Sequence, residues 1–294
     1  MIVFGEQLVN GIALGAIYAM FGVGFGLVFS TMGVFNIAFG MVASCGALIA
    51  LTTVKAQPLP FVLVVMVGVL AAGAIGALVD QVTTQPLRKR GGGFLGPIIT
   101  TIGALEILTV IASRATQGQV DRFPPGSYPA GLVRIGEFAI PTIQIVNIAV
   151  AALLVVGVYL FLNRARWGSA IRAVGHSAEG ATLSGVASRS VFIATAFLAS
   201  AISGLAAVLA GAATSNVSFL LGENLLLKGF AAVIIGGFTD IRGTALAGLV
   251  LGLAEVLGAQ YVSGSFRDAF AFGLLILFLF VRPQGIFGGQ ELRV

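Results

Sequence analysis

Two groups of residues in this 294-residue sequence have types and spacing that can do chemistry. The first is the stretch RAVGHSAEGATLSG, residues 172–185, set in an otherwise apolar chain. At helical spacing Arg172, His176 and Glu179 share one face, while Ile171, Val174 and Ala178 share the opposite one. Leu183 falls on the polar side, which predicts a break near Gly180 or an exposed apolar contact, in one or two short helices. The small residues Gly180, Ala181 and Ser184 leave room for another protein's surface, and Gly185 fits a helix stop. A guanidinium, an imidazole and a carboxylate so arranged can pair charges across an interface. They cannot build a metal site, because His176 is the only histidine and Cys45 the only cysteine, which also excludes an internal disulfide.

The second group is scattered through apolar segments: Asn36, Glu106, Lys228 and Glu255. Polar groups at membrane depth are expensive, and they face a cavity or another helix. Each has two readings, an interhelical hydrogen bond or ion pair, or the wall of a solute path. For Lys228, Glu223 lies five residues back, a poor helical pair, and Asn224, four back, is better placed. No acid–base cluster converges, so the residues do not describe an enzyme. No G-x-x-x-x-G-K-[ST] pattern occurs, so any ATP-driven work needs another chain's ATPase.

The elements that must position these residues are membrane spans. The chain is 58% hydrophobic and 9% charged, with a mean hydropathy of +1.06, against roughly 25% charged residues in soluble domains. Apolar stretches long enough to span, about 20 residues each, lie near 8–31, 33–54, 59–83, 94–114, 140–162, 191–213, 222–240, 243–261 and 264–281. The expected fold is all-α: one polytopic membrane helix bundle over 1–294, about nine transmembrane segments within a range of 8–10. The first pair meets at TMGV without a polar loop, and the segments 222–240 and 243–261 are short and glycine-rich, so broken or re-entrant helices are expected there. Asn36 and Gly40 sit where the first two segments meet, and irregular backbone is tolerated at depth only inside protein or beside water.

The net charge of +5 follows from basic residues gathered on one side of a bilayer rather than from nucleic-acid binding. With nine spans, ten cations fall on one side: Arg88, Lys89, Arg90, Arg164, Arg166, Arg172, Arg189, Arg242, Arg282 and Arg293. Five fall on the other: Lys55, Arg114, Arg122, Arg134 and Arg267. The bias places the 163–190 loop in the cytoplasm and the Pro- and Gly-rich 115–139 loop outside, as a non-helical cap. The pairs Gly11/Gly15, Gly22/Gly26 and Gly248/Gly252 have the spacing that lets helix backbones approach closely in lipid.

Five motifs in order carry a family resemblance. EGATLSG at 179–185 resembles the E-A-A-x-x-x-G signature of bacterial ABC importer permeases through Glu179, Ala181 and Gly185. Gly180 stands where the family has alanine, softening a helix by roughly 1 kcal/mol. VFNIAFG at 34–40, QPLR at 85–88, the block 227–255 and RPQGIFG at 282–288 resemble motifs of LivH-type permeases of branched-chain amino acid importers. Matching positions include Asn36, Ala38, Gly40, Pro86, Arg88, Lys228, Gly236, Gly237 and Glu255. Phe39, Met41 and Gln85 depart from the family's usual His, acidic residue and Arg.

The resemblance implies that 163–190 carries the coupling helix, with Arg172, His176, Glu179, Gly180, Ala181 and Gly185 at the contact. Polar groups at membrane depth, with the glycines of the matching motifs, give a candidate pathway or broken-helix set of Asn36, Gly40, Glu106, Lys228, Gly236, Gly237 and Glu255. Expected partners are two cytoplasmic ABC ATPases, a second permease, sibling or self, and a periplasmic solute-binding protein, in a bacterial inner membrane. No cofactor is expected on this chain; ATP and Mg belong to the ATPases. The expected cargo is branched-chain or related small amino acids. Urea, short amides or another small metabolite carried by the same machine remain open, as does a self-sufficient secondary transporter or channel.

Overall fold

The computed structural model describes residues 2–89, 93, 95–135, 138–282 and 285–287. Among them the helices are α1 (Ile2–Met32), α2 (Phe39–Ala56), α3 (Phe61–Lys89), α4 (Leu95–Thr116), α5 (Thr142–Arg164), α6 (Arg166–His176), α7 (Ala178–Leu183), α8 (Ser188–Thr214), α9 (Leu221–Gly236), α10 (Ile241–Tyr261) and α11 (Arg267–Val281). Each of the nine apolar segments forms one helix. Eight helical stretches are long and apolar enough to cross a membrane. The exception is α9, whose 16 residues reach about 24 Å against a hydrocarbon core of about 30 Å. It stops at Gly237, whose φ of +102° ends the helix where a side chain would be strained.

The long α1 is apolar all round, which requires burial, and it packs on α10, α8, α9 and α5. The α1–α10 contact is the closest. A Cβ on Gly252 would lie 2.2 Å from the Gly15 nitrogen, and one on Gly248 would lie 2.5 Å from that of Ala19. The glycine spacing thus serves antiparallel backbone contact, the expected role of small residues where lipid supplies no hydrophobic drive.

The join between α1 and α2 is a re-entrant break. Gly33 has φ +63°, and the following residues to Ala38 are not helical. Phe39, which opens α2, packs edge-on against Phe21 and Phe25, well back along α1 from its end at Met32. The chain has therefore turned back into the bundle before α2 begins. Phe35 packs edge-on against Phe230 of α9, and the Ile37 N–H donates to Thr101 Oγ1 of α4 at 3.3 Å, so the break is lodged between α4 and α9.

At one end of the bundle the 115–139 loop departs from the expected cap. Its first part is irregular, but strands β1 (Leu132–Ile135) and β2 (Phe138–Pro141) form an antiparallel hairpin pairing Leu132 with Pro141 and Ile135 with Phe138. The β-branched and aromatic Val133, Ile135, Phe138 and Ile140 favour extended backbone, so among the described residues the all-α expectation holds apart from this short hairpin. Asp121 joins three elements there: it accepts from Lys55 of α2 and forms a β-bridge with Val217, beyond α8. The hydrogen bond from Lys55 holds the Asp121 carboxyl below its ordinary range. The pair therefore contributes above the usual carboxylate pKa and is lost as pH falls through the lowered value. With side chains 41% and 43% exposed, that contribution is small.

The opposite end collects Arg88, Arg164, Arg166, Arg172, Arg189, Arg242 and Arg282 at helix termini and in the 163–190 segment. Arg90, Pro283, Gly288 and Arg293 lie outside the described residues. Arg267, counted from sequence with the far loop, stands half exposed at the start of α11 and pairs there with the buried Glu255 of α10.

Candidate functional site

The basic end presents α6 and α7 as one surface. Gly168, Ile171 and Val174 bury one face of α6, and Ala181 buries α7; Arg172, His176, Glu179 and Gly180 are exposed. The break falls at Ser177, not near Gly180. Ser177 is extended, at φ −158° and ψ 109°, and its Oγ accepts the Gly180 N–H at 3.0 Å. This is an N-cap, and it starts α7 one residue later, with Gly180 inside the helix. Gly185, at φ +84°, terminates the α7 turn as its position predicted. Leu183 stands 85% exposed at the end of α7, the helix that carries Glu179, and Trp167 is 53% exposed at the start of α6.

This surface is fixed to the spans. A Cβ on Gly175 would lie 2.6 Å from the Ser30 carbonyl, so α6 rests on the last turn of α1. Ser188 Oγ donates to the Ala178 carbonyl at 3.0 Å and bonds Thr182 Oγ1 at 2.7 Å, tying α7 to the start of α8. A cavity of about 530 Å³ lies between α6 and the ends of α1, α3 and α8, with Arg88, His176 and Arg189 on its wall. Arg88, of the QPLR motif, turns back to hold Asp80 through Nη2 at 2.6 and 2.8 Å and lies 4.1 Å from the Phe192 ring centroid.

Within the bundle, two of the sequence candidates meet. Lys228 Nζ lies 3.0 Å from Glu255 Oε2 and 2.7 Å from Asp268 Oδ1. Glu255 also accepts from Tyr18 Oη at 2.8 Å and from Arg267 Nε at 2.6 Å. The partner of Lys228 is thus not Asn224 or Glu223 on its own helix but carboxylates on α10 and α11. Tyr18 lies midway along α1, so Lys228 and Glu255 sit deep in the bundle, while Arg267 and Asp268 stand at its exposed edge. The cluster forms part of the wall of a cavity of about 350 Å³, which Asn224 also lines. Two cations, two carboxylates and a phenol balance charge, which is what low-dielectric surroundings demand. They also give that cavity both signs of charge.

The other candidates stand apart. Gly40 is closed by packing: its Cβ would lie 2.6 Å from the Gly222 carbonyl, and Gly222 N donates to Ser44 Oγ at 2.7 Å. The first turns of α2 and α9 are thereby locked together. Gly236 is packed equally tightly, its Cβ position 2.2 Å from the Thr244 nitrogen. The C-terminal motif folds back there, with Ile286 N donating to the Ile235 carbonyl at 2.8 Å. Asn36 Oδ1 is buried without a hydrogen-bond partner among the described residues. Glu106 is exposed on the outward face of α4.

Sequence reasoning missed Tyr18, Asp80, Arg267 and Asp268. A signal existed for Asp80, eight residues before Arg88 on one helix, and for Asp268, in the first turn of α11. Nothing in local spacing marks Tyr18.

The arrangement is a polytopic membrane helix bundle with a polar surface at one end and oppositely charged side chains paired inside it. Residues 7–279 match the family described as "Branched-chain amino acid transport system / permease component", and the chain belongs to that family. It is 33% identical to the high-affinity branched-chain amino acid transport system permease protein BraD of Pseudomonas aeruginosa, covering 98% of this chain and 97% of that one. It is 30% identical to the corresponding permease protein LivH of Escherichia coli K12, over 99% and 97%. In fold it is similar to PsaBC from Streptococcus pneumoniae, solved with a Fab, at a TM-score of 0.50, 14% identity and coverage of 98% and 94%.

Proposed function

We propose that this chain is the membrane-embedded permease subunit of an ATP-driven importer that brings branched-chain or related small amino acids into the cytoplasm. In this reading α6 and α7 dock on a cytoplasmic ABC ATPase, and two ATPases, carrying the ATP and Mg, serve a pair of permeases. A periplasmic binding protein delivers cargo to the opposite end, and the complex resides in a bacterial inner membrane. The observation that carries the reading is the exposed Glu179 and Leu183 on a surface braced against α1 and α8. A push on that surface reaches α1 through Gly175 and Ser30, and from α1 it reaches α10 through their glycine contacts. The binding protein supplies most of the selectivity, and the passage itself binds cargo weakly. The residues of the Lys228 cluster fix helices and present both charge signs to a zwitterion.

The test is uptake into proteoliposomes holding the permease pair, the ATPases and the binding protein. Labelled leucine should accumulate with ATP and not with a non-hydrolysable analogue, and excess unlabelled valine should suppress it where urea does not. Equal uptake without the ATPases would establish a secondary carrier instead.

A further inference from the structure

The cavity of about 530 Å³ behind α6 is made by the chain's own turns. Gly175 sets α6 on the Ser30 carbonyl, and Gly33, at φ +63° with open space around it, turns the chain out of α1 three residues later. The space between α6 and the ends of α1, α3 and α8 is therefore left as a recess. Its wall has two kinds of chemistry. Met32, Val174 and Phe192 make much of it apolar, and Arg88, His176 and Arg189 bring donors to it. None of the residues that line it is a carboxylate.

The cations of the wall are not equally engaged. Arg88 holds Asp80 through Nη2 and lies over the Phe192 ring. Its Nε and Nη1 are buried without an acceptor among the described residues. Arg189, in the first turn of α8, is exposed and makes no hydrogen bond or ion pair among the described residues. One guanidinium charge is thus left over, with the His176 imidazole as a further donor. A recess of this size with apolar walls and a few converging polar groups is the usual form of a small-molecule site. A single free guanidinium is matched by one carboxylate or phosphodiester, which takes two parallel N–H donors. A zwitterion fits less well, because no lining carboxylate answers an ammonium and a buried charge without a partner is costly.

We propose that this recess binds a small monoanion with an apolar body, its acid group on Arg189 and its body against Met32, Val174 and Phe192, and that the occupant slows the ATP cycle. The effect on the ATP cycle rests on the reading of α6 and α7 as the ATPase contact. An occupant touching α1, α6 and α8 together favours the arrangement in which the recess is open, and a ligand shifts an equilibrium by binding one state better. Such an anion has two sources, a soluble carboxylate or an anionic phospholipid of the bilayer.

The probe is labelled 4-methylpentanoate, applied to the whole importer in phosphatidylcholine nanodiscs. It should bind saturably and, over the same concentrations, lower ATP hydrolysis stimulated by the binding protein. Arg189→Gln should weaken binding about tenfold or more and relieve the inhibition. Arg166→Gln, which removes an exposed arginine outside the recess, should change neither. Leucine, the same body with an added ammonium, should bind more weakly than the probe. In nanodiscs one-third phosphatidylglycerol, competition with the probe that Arg189→Gln abolishes would identify the lipid as the occupant, and unchanged probe binding would identify the soluble acid. No saturable binding, or equal affinity in Arg189→Gln, would overturn the site. Leucine binding as tightly as the probe would overturn the choice of a plain anion, and binding without a change in hydrolysis would overturn the effect on the ATP cycle. Failure of the ATPases to assemble with the unsubstituted chain would instead reject the importer reading, and probe binding to the permease alone would still decide the site.

Discussion

Glu179→Arg and Leu183→Asp are each expected to weaken association with the partner ATPase by roughly tenfold or more while leaving the permease folded. Both side chains are exposed and neither holds α7 in place; that is done by Ser177, Ser188 and the buried Ala181. An exposed leucine on a short, capped helix is an anchor in search of a pocket, and central anchors of interfaces commonly cost 2 kcal/mol or more on truncation, roughly a thirtyfold change. Reversing the Glu179 charge should add repulsion from any acceptor that meets it. The measurement is titration of detergent-purified permease with ATPase, read by co-elution and by stimulated ATP hydrolysis. An undiminished association in both variants would remove α7 from the interface. Ala181→Arg would give a different loss, one of folding, because that residue faces the bundle.

The second large effect is expected at Glu255. Three donors converge on its carboxylate, from Tyr18, Lys228 and Arg267, and its side chain is 3% exposed. Glu255→Leu strands the Lys228 ammonium, which is 8% exposed, with only the outlying Asp268 to answer it. Breaking a buried pair from one side costs about 3–5 kcal/mol. Lys228→Met should cost less, because Glu255 keeps Tyr18 and Arg267. The double variant should be more stable than the sum of the two single losses predicts, since neither charge is then left alone. Unfolding in mixed micelles by increasing SDS is the check. Equal and additive losses would mean that the cluster does not act as a unit.

The sequence was a good guide to what is periodic and a poor one to what is long-range. Nine apolar runs became nine helices because burial in lipid needs only length and hydropathy, and both are local. The shortness of α9 was foreshadowed by Gly236 and Gly237, but whether a glycine pair packs or breaks depends on its neighbour, here Thr244. Lys228 and Glu255 were each conspicuous as charges in apolar runs, yet their pairing joins different helices, beyond any i, i+4 rule. The pairing of Arg267 with Glu255 likewise joins α11 to α10, and no count of residues reveals it. At the coupling surface the split of polar from apolar faces was legible from spacing. The exact break was not: spacing pointed to Gly180, while the cap that starts α7 is Ser177, three residues earlier. The hairpin in the 115–139 loop was hidden by the neighbouring prolines and glycines, which argued for irregular chain.

The claim on which the account turns is that α6 and α7 face the compartment where ATP is hydrolysed. Leu183→Cys in a Cys45→Ser background puts one exposed thiol on that surface. A membrane-impermeant maleimide applied to intact cells should leave it unlabelled, and the same reagent applied to inside-out vesicles should label it fully unless the ATPase is bound. Labelling from outside intact cells would place the surface on the wrong side of the membrane and contradict the account.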